Sequence, residues 1–157
     1  MVDPAIGMKS LQEALRQGVP LSMRRCESNP QFQLHIDQPD GKPRLTYFHL
    51  EGAKVTAIAM CVPVDPYDGV QCFGIAYAVH PELRGQGRAK LAVRTAIEEL
   101  RLGFGKAGLS EFFVEAIVSK QNAASQRVAE QLHGKPVEID EALSGEPAFK
   151  YVLKVTA

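Results

Sequence analysis

The sequence lacks the features that would assign it to a membrane, secreted or nucleic-acid-binding class. It has no uninterrupted apolar run of about 18 residues, as a transmembrane helix requires, and its opening segment lacks the apolar core of a signal peptide. Its 18 basic residues balance its 18 acidic ones, so no net charge draws it to nucleic acid or to an anionic membrane. We therefore expect a cytoplasmic protein that binds neither.

Cysteine is scarce, with three residues in 157. Cys26, Cys61 and Cys72 are odd in number and lie in or near apolar runs, which predicts reduced thiols rather than a disulfide framework. With 45% hydrophobic and 23% charged residues, the composition is that of an ordinary globular domain. We expect residues 1–157 to form one domain, and no metal site is predicted.

The first half of the chain is typical of a short helix followed by strands. The helix is predicted over residues 11–17, where Ser10 can cap it and Gly18 can end it. Four strand-like runs follow, and they cover residues 32–37, 44–50, 54–62 and 70–79. Short connections of the kind found in β-hairpins join the first three strands into an antiparallel meander. The loop PVDPYDG precedes the fourth strand, which is nearly apolar.

The second half alternates helices with strands. An amphipathic helix after residue 87 carries Arg94 and Glu98 at ion-pair spacing and should be broken by the glycines at 103, 105 and 108. A fifth strand (109–119), a helix (122–134) and a closing hairpin around EALSGEP complete the chain. The fourth and fifth strands should be parallel, because a helix crosses between them. This order predicts an α/β domain with a mixed, mostly antiparallel sheet flanked by helices.

The stretch VHPELRGQGRAKLA, residues 79–92, places two glycines one residue apart between a strand and a helix. It has no Walker A spacing, and Lys90 stands where a dinucleotide fingerprint needs its third glycine. It satisfies a third pattern, in which the backbone amides from Gly85 to Ala89 point into one concavity and the helix dipole attracts an anion. This pattern predicts a pyrophosphate site, and the alternative is a tight turn with no ligand.

Two stretches of the chain resemble the GCN5-related N-acetyltransferase (GNAT) family. AYAVHPELRGQGRAKLA is similar to that family's acetyl-CoA motif, and VSKQNAASQRVAEQL is similar to its second motif. The likeness extends over residues 70–134 and implies a GNAT-like sheet in which the parallel fourth and fifth strands splay apart. It also implies acetyl-CoA as the cofactor and acetyl transfer to a primary amine of a small molecule or peptide, by direct attack on the thioester. The resemblance further allows a homodimer.

The resemblance assigns roles to residues of both motifs. The amide of Tyr77 would donate to the developing oxyanion, and Val79 would contact the pantetheine. The other cofactor-binding residues that it implies are Arg84, Gly85, Gln86, Gly87, Arg88, Ala89, Asn122 and Ser125. Asn122 is also a natural helix cap, and the two arginines have a second interpretation as solvated surface charges.

The residues that would handle protons depart from the family pattern. Phe73 stands where some members carry a glutamate base, and Ala129 stands where many carry a tyrosine acid. Glu115, inside the fifth strand, is either a base that acts through water or a charge at the rim of the sheet. Tyr151 is either a replacement acid or a packed core residue.

Two other functions fit the same residues. The missing glutamate and tyrosine allow a non-catalytic acyl-CoA-binding sensor or partner-binding module on the same fold. A nucleotide-binding protein could use the same anion site. Four acidic residues in the predicted loops indicate a cationic acceptor, and these are Asp65, Asp68, Glu141 and Glu146.

Overall fold

Eight strands form one mixed sheet in the computed structural model of the chain, which describes residues 3–141 and 144–157. The strands are β1 (Met23–Arg25), β2 (Phe32–Asp37), β3 (Arg44–Glu51), β4 (Lys54–Tyr67), β5 (Val70–Val79), β6 (Glu111–Ser119), β7 (Val137–Asp140) and β8 (Pro147–Thr156). Their spatial order is β1-β2-β3-β4-β5-β6-β8-β7. Only β5 and β6 run parallel among these neighbours, so the predicted mixed, mostly antiparallel sheet with a crossover is confirmed.

Three α-helices flank the sheet in the described part of the chain: α1 (Pro4–Arg16), α2 (Arg88–Lys106) and α3 (Ala123–His133). Met8 and Leu11 of α1 pack on one face against Ile58 and Met60 of β4. The helices α2 and α3 cover the opposite face. We call these the α1 face and the α2–α3 face. None of the described helices is long and apolar enough to cross a membrane.

The larger core lies on the α2–α3 face and is centred on an aromatic trio. Phe104 of α2 stacks on Phe112 of β6 with ring centroids 4.6 Å apart, and Phe73 of β5 meets both rings edge-on. Cys26, Cys61 and Cys72 are free and buried. Burial raises the pKa of Cys72 to about 11, so this thiol stays protonated at neutral pH.

The prediction for the N-terminal segment was wrong in two places. The first helix begins at Pro4, because Asp3 caps it through Oδ1, which accepts from the Ala5 amide at 2.8 Å. An Asp-Pro pair is itself a helix start signal, so Ser10 lies inside the helix rather than at its cap. The short strand β1 was also missed, since its three residues are exposed and carry no hydrophobic alternation.

The predicted loop PVDPYDG is mostly strand. The strand β4 continues to Tyr67 and turns at Asp68 and Gly69, whose φ angles of 48° and 78° are those of a two-residue hairpin turn. Pairing of β4 with β3 ends at Cys61. Beyond that point none of the described strands lies beside this edge of β4, so a proline there costs no ladder hydrogen bond along it.

The glycines at 103 and 105 do not break α2, which contradicts the prediction. The helix runs to Lys106, and Gly108 follows it with a φ of 77°. Two glycines cost a helix about 1 kcal/mol each, and packing of the intervening Phe104 in the aromatic trio offsets that cost.

The ion pair predicted within α2 has a different partner. Glu98 contacts Arg101 (Nε to Oε2, 2.9 Å) rather than Arg94. Two residues of the predicted EALSGEP hairpin, 142 and 143, lie outside the described residues.

Candidate functional site

The strands β5 and β6 pair over a short distance and then part. Their ladder joins Cys72 to Phe113, Phe73 to Val114 and Gly74 to Glu115. After this last pair, β5 remains bonded to β4 as far as Val79, while β6 remains bonded to β8 as far as Ser119. The sheet therefore contains a wedge-shaped gap between two strands that are each held on their outer side. We call the pair Gly74 and Glu115 the fork.

The register of β5 shows which of its amides face this gap. The amide of His80 donates to the carbonyl oxygen of Thr56 at 2.8 Å, so even-numbered residues of β5 point their backbone groups toward β4. Backbone groups in an antiparallel ladder alternate in direction, so Tyr77 and Val79 point theirs toward β6. Both residues lie beyond the fork, where the ladder with β6 has ended. Their amides are therefore available to a ligand that enters the gap.

The glycine loop leads directly from β5 into α2. Gly85 and Gly87 have φ angles of 75° and 76°, a conformation that favours glycine. Gly87 is the N-cap of α2 and offers no side chain to the amides of its first turn. A Cβ added at either glycine would meet nothing within 4 Å. The loop is thus an open cradle of uncapped amides at the positive end of a 19-residue helix, and a diphosphate fits that chemistry.

The side chains of Gln86 and Arg88 are already engaged. Nη2 of Arg88 donates to Oε1 of Glu51 at 2.9 Å, and Nε donates to Oε1 of Gln86 at 3.3 Å. These contacts hold the loop against the end of β3, and the guanidinium lowers the pKa of Glu51. Both residues therefore support the loop with their side chains, and their backbone amides lie in the segment that leads into α2.

A cleft of about 860 Å³ lies between α1 and the segment from Val79 to Arg84. Its walls are largely apolar, with Met8 and Val55 at the floor and charged residues at the rim. The exposed Arg84 belongs to both this cleft and the head of the glycine loop. The Gln12 side chain fixes α1 here, because it donates to the Ala53 carbonyl at 2.8 Å and accepts from the Val55 amide at 2.7 Å.

The start of α3 closes the other side of the gap. Oδ1 of Asn122 accepts from the Ser125 amide at 3.1 Å, so Asn122 is the helix cap that the sequence allows. The Tyr77 hydroxyl donates to the Ser125 carbonyl at 2.9 Å. Tyr77 therefore ties α3 to β5 through its side chain, while its amide faces the gap. The fold thus brings Tyr77 to Asn122 and Ser125, which lie more than 40 residues later in the sequence.

Two titratable residues flank the gap on opposite faces of the sheet. Glu115 alternates with the buried Val114 and Ala116, so its carboxylate lies on the α1 face at the fork. Tyr151 of β8 pairs with Ala116 and lies on the α2–α3 face. It is 0% exposed, and its hydroxyl makes no well-formed hydrogen bond among the described residues, although the Glu130 carboxylate is close enough to raise its pKa. Sequence patterns could not reveal this unsatisfied hydroxyl, because it depends on how α3 covers β8.

The chain belongs to the GNAT family. The sequence profile described as "Acetyltransferase (GNAT) family" matches residues 10–134, which confirms the predicted family and, with it, acetyl-CoA as the cofactor. No curated protein matches the chain in sequence. The described residues contain no group of three or more His, Cys, Asp or Glu side chains that could hold a metal ion.

Solved structures share the fold at low sequence identity. An acetyltransferase of the GNAT family from Streptococcus pneumoniae is 11% identical with a TM-score of 0.53, over 71% of this chain and 66% of that chain. A GNAT-family protein from Desulfovibrio desulfuricans is 17% identical with a TM-score of 0.51, over 70% and 67% of the two chains. The NatC complex bound to Gag peptide and CoA contains a chain that is 20% identical, with a TM-score of 0.51 over 81% and 72%. These likenesses confirm the fold.

We predict that Gly87→Glu abolishes CoA binding while the chain stays folded, because the added carboxylate would occupy and repel the diphosphate position. Gly108→Glu is the matched control, since Gly108 has a φ of 77° and equally open surroundings at the far end of α2. Both variants therefore carry the same backbone strain. Calorimetric titration with CoA should show at least a hundredfold weaker affinity for Gly87→Glu alone, an estimate based on losing several charge-assisted hydrogen bonds. Arg84→Ala should weaken CoA binding less than Gly87→Glu does. Equal affinities of the two glycine variants for CoA would contradict the assignment of the glycine loop as a diphosphate site.

Proposed function

We propose that the chain is an acetyl-CoA-dependent N-acetyltransferase that acetylates a primary amine of a small molecule or peptide. The observation that carries the proposal is the succession of two sets of backbone amides, one in β5 and one in the glycine loop that follows it. The amides of Tyr77 and Val79 face the gap in the sheet, and the uncapped amides of the glycine loop follow within the same segment. Acetyl-CoA would supply an activated thioester at the first set and a diphosphate at the second.

The backbone of this chain would do most of the positioning. The amide of Val79 would hold the pantetheine, and the amide of Tyr77 would donate to the carbonyl oxygen as negative charge develops there. Preset amides contribute a few kcal/mol to such a barrier because they need no reorganisation. The acceptor nitrogen forms a bond to the acyl carbon as the carbon–sulfur bond breaks.

Glu115 is our candidate for the base that takes the proton of the acceptor ammonium. It lies at the fork on the α1 face, and its side chain is 12% exposed. Tyr77 is three residues beyond Gly74, a distance of about 10 Å along a strand, so the proton would pass through a water molecule. Phe73, which stands where some family members carry a glutamate base, is packed in the core on the opposite face and has no group that could accept a proton.

Tyr151 is our candidate for the acid that returns a proton to the leaving thiolate. Burial and the nearby Glu130 carboxylate raise the pKa of Tyr151, so the hydroxyl holds its proton at neutral pH. Ala116 and Ala129 are buried in the same core as Tyr151. A buried hydroxyl without a partner is costly, and a thiolate in the gap would satisfy it.

A non-catalytic acyl-CoA-binding module is the second candidate function. It is favoured by one observation, namely that Phe73 and Ala129 replace the two side chains that commonly move protons in this family. Release of free thiol from acetyl-CoA, followed across a panel of primary amines, separates the two functions. Turnover that depends on the amine supports the transferase, and tight CoA binding without turnover supports the module.

We predict that Glu115→Gln lowers turnover about a hundredfold at neutral pH, the low end of what a general base contributes. The rate of the unmodified protein should depend less on pH than the rate of the variant, which should rise toward the amine's own pKa, about 10, since only neutral amine attacks. Glu111→Gln is the control, because Glu111 lies on the same strand and face and also pairs with a lysine. If both proteins show the rising profile, no side chain acts as the base.

We predict that Tyr151→Phe lowers turnover about a hundredfold without lowering stability. Removal of an unsatisfied buried hydroxyl should leave the free energy of unfolding unchanged or raise it by about 1 kcal/mol. Tyr77→Phe is the stability control, since it loses a hydrogen bond to Ser125 and should cost about 1 kcal/mol in urea unfolding. Unchanged turnover in Tyr151→Phe would make this tyrosine a core residue only.

A further inference from the structure

Glu115 and Lys150 form an ion pair on the α1 face beside the gap. Nζ of Lys150 lies 3.4 Å from Oε2 of Glu115, and the two side chains are 29% and 12% exposed. They are diagonal neighbours across the β6–β8 ladder, in which Glu115 faces Val152 and Lys150 faces Ile117. Each side chain is partly shielded from water yet remains accessible to a ligand.

The pair borders the space in which the acceptor must lie. Glu115 is the last residue of β6 that pairs with β5. The backbone of Lys150 pairs with Ile117 beyond the fork, and its side chain reaches back to Glu115 at the fork and to the Tyr67 ring. The helix α1 packs over β4 and β5 on this face. Ile117 is 46% exposed, which shows that the β6 side of the face is left uncovered. An acceptor that approaches the gap from this face therefore meets a carboxylate and an ammonium together.

Tyr67 holds Lys150 in place. The ammonium lies 5.0 Å from the centroid of the Tyr67 ring, which in turn packs against Phe113 with centroids 5.3 Å apart. The Tyr67 hydroxyl and the Glu115 carboxylate raise the pKa of Lys150. Lys150 thus stays protonated, which makes it a poor nucleophile and a persistent cation at this position.

We propose that the acceptor is a free α-amino acid whose ammonium contacts Glu115 and whose carboxylate contacts Lys150. A simple alkylamine would compete with Lys150 for Glu115 and would leave one of the two cations without a partner. An amino acid carries its two charges on adjacent atoms and pairs both protein charges at once, which matters most where water is partly excluded. Transfer would move the ammonium proton to Glu115 and yield an N-acetylamino acid and CoA. The inference rests on the proposed function.

The first test compares each amino acid with its own amide, which differs only in the carboxylate. We expect kcat/KM to favour the acid by at least tenfold for the preferred side chain, the effect of one hydrogen-bonded charge pair. In Lys150→Met, kcat/KM for the acid should fall tenfold to about a hundredfold, while that for the amide should not fall. Methionine keeps most of the apolar stem, so packing against Tyr67 changes little.

Lys154→Met is the matched control. Lys154 lies on the same strand and face, and its Nζ contacts Oε2 of Glu111 at 2.8 Å, but it pairs with Phe113 on the closed side of the fork. This variant should leave the preference for the acid unchanged. Equal losses in the two variants would mean that general surface charge, not a local contact, attracts the acceptor, and would overturn the proposal.

A binding measurement separates failure of this inference from failure of the proposed function. Calorimetric titration of the CoA-bound protein with the amino acid should show binding that is weakened by Lys150→Met and retained in Lys154→Met. Turnover of amides or plain amines as fast as amino acids would overturn the inference and leave the transferase intact. Absence of turnover with every amine, despite CoA binding, would contradict both this inference and the proposed transferase function.

Discussion

The separation of β5 from β6 after a single short stretch of parallel pairing is the constraint on which the candidate site depends. Each strand keeps a full antiparallel partner on its outer side, β4 for β5 and β8 for β6, so the two can part without either losing its place in the sheet. Backbone amides inside a sheet are normally paired, and leaving them unpaired in a dry interior is costly. Here the gap leaves the amides of Tyr77 and Val79 without a strand partner, so a ligand that bound in the gap would satisfy these backbone groups.

Much of this arrangement could be predicted from the sequence, because local signals agree with it. The apolar run of β5 ends at His80 and Pro81, the two glycines at 85 and 87 require positive φ, and an amphipathic helix begins immediately afterwards. Each of these signals acts over a few residues and needs no knowledge of distant contacts. The Asn122 cap of α3 is equally local. The element order and the conformation of the glycine loop could therefore be predicted from short-range chemistry.

The residues that would discriminate among acceptors could not be predicted in the same way. Lys150 meets Glu115 only because β8 pairs with β6 in one register, and a shift of one residue would turn Lys150 to the other face of the sheet. Tyr67 reaches Lys150 only because β4 continues past its two prolines, which sequence patterns assigned to a loop. The unsatisfied hydroxyl of Tyr151 likewise depends on tertiary packing. Contacts between distant strands depend on strand register, which cannot be predicted from amino-acid composition.

The balance between acidic and basic residues in the whole chain is repeated locally, as ion pairs on one face of the sheet. Two acid–lysine pairs lie in sequence along the β6–β8 ladder, one at Glu111 and Lys154 and one at Glu115 and Lys150. The outer pair is 37% and 55% exposed, whereas the inner pair is 12% and 29% exposed. Water and salt screen an exposed pair, so it gives little energy to any ligand, while charges in a partly dry site interact more strongly. Two ion pairs of the same chemistry therefore differ in what they can recognise, and the pair beside the gap is the one that a zwitterion can use.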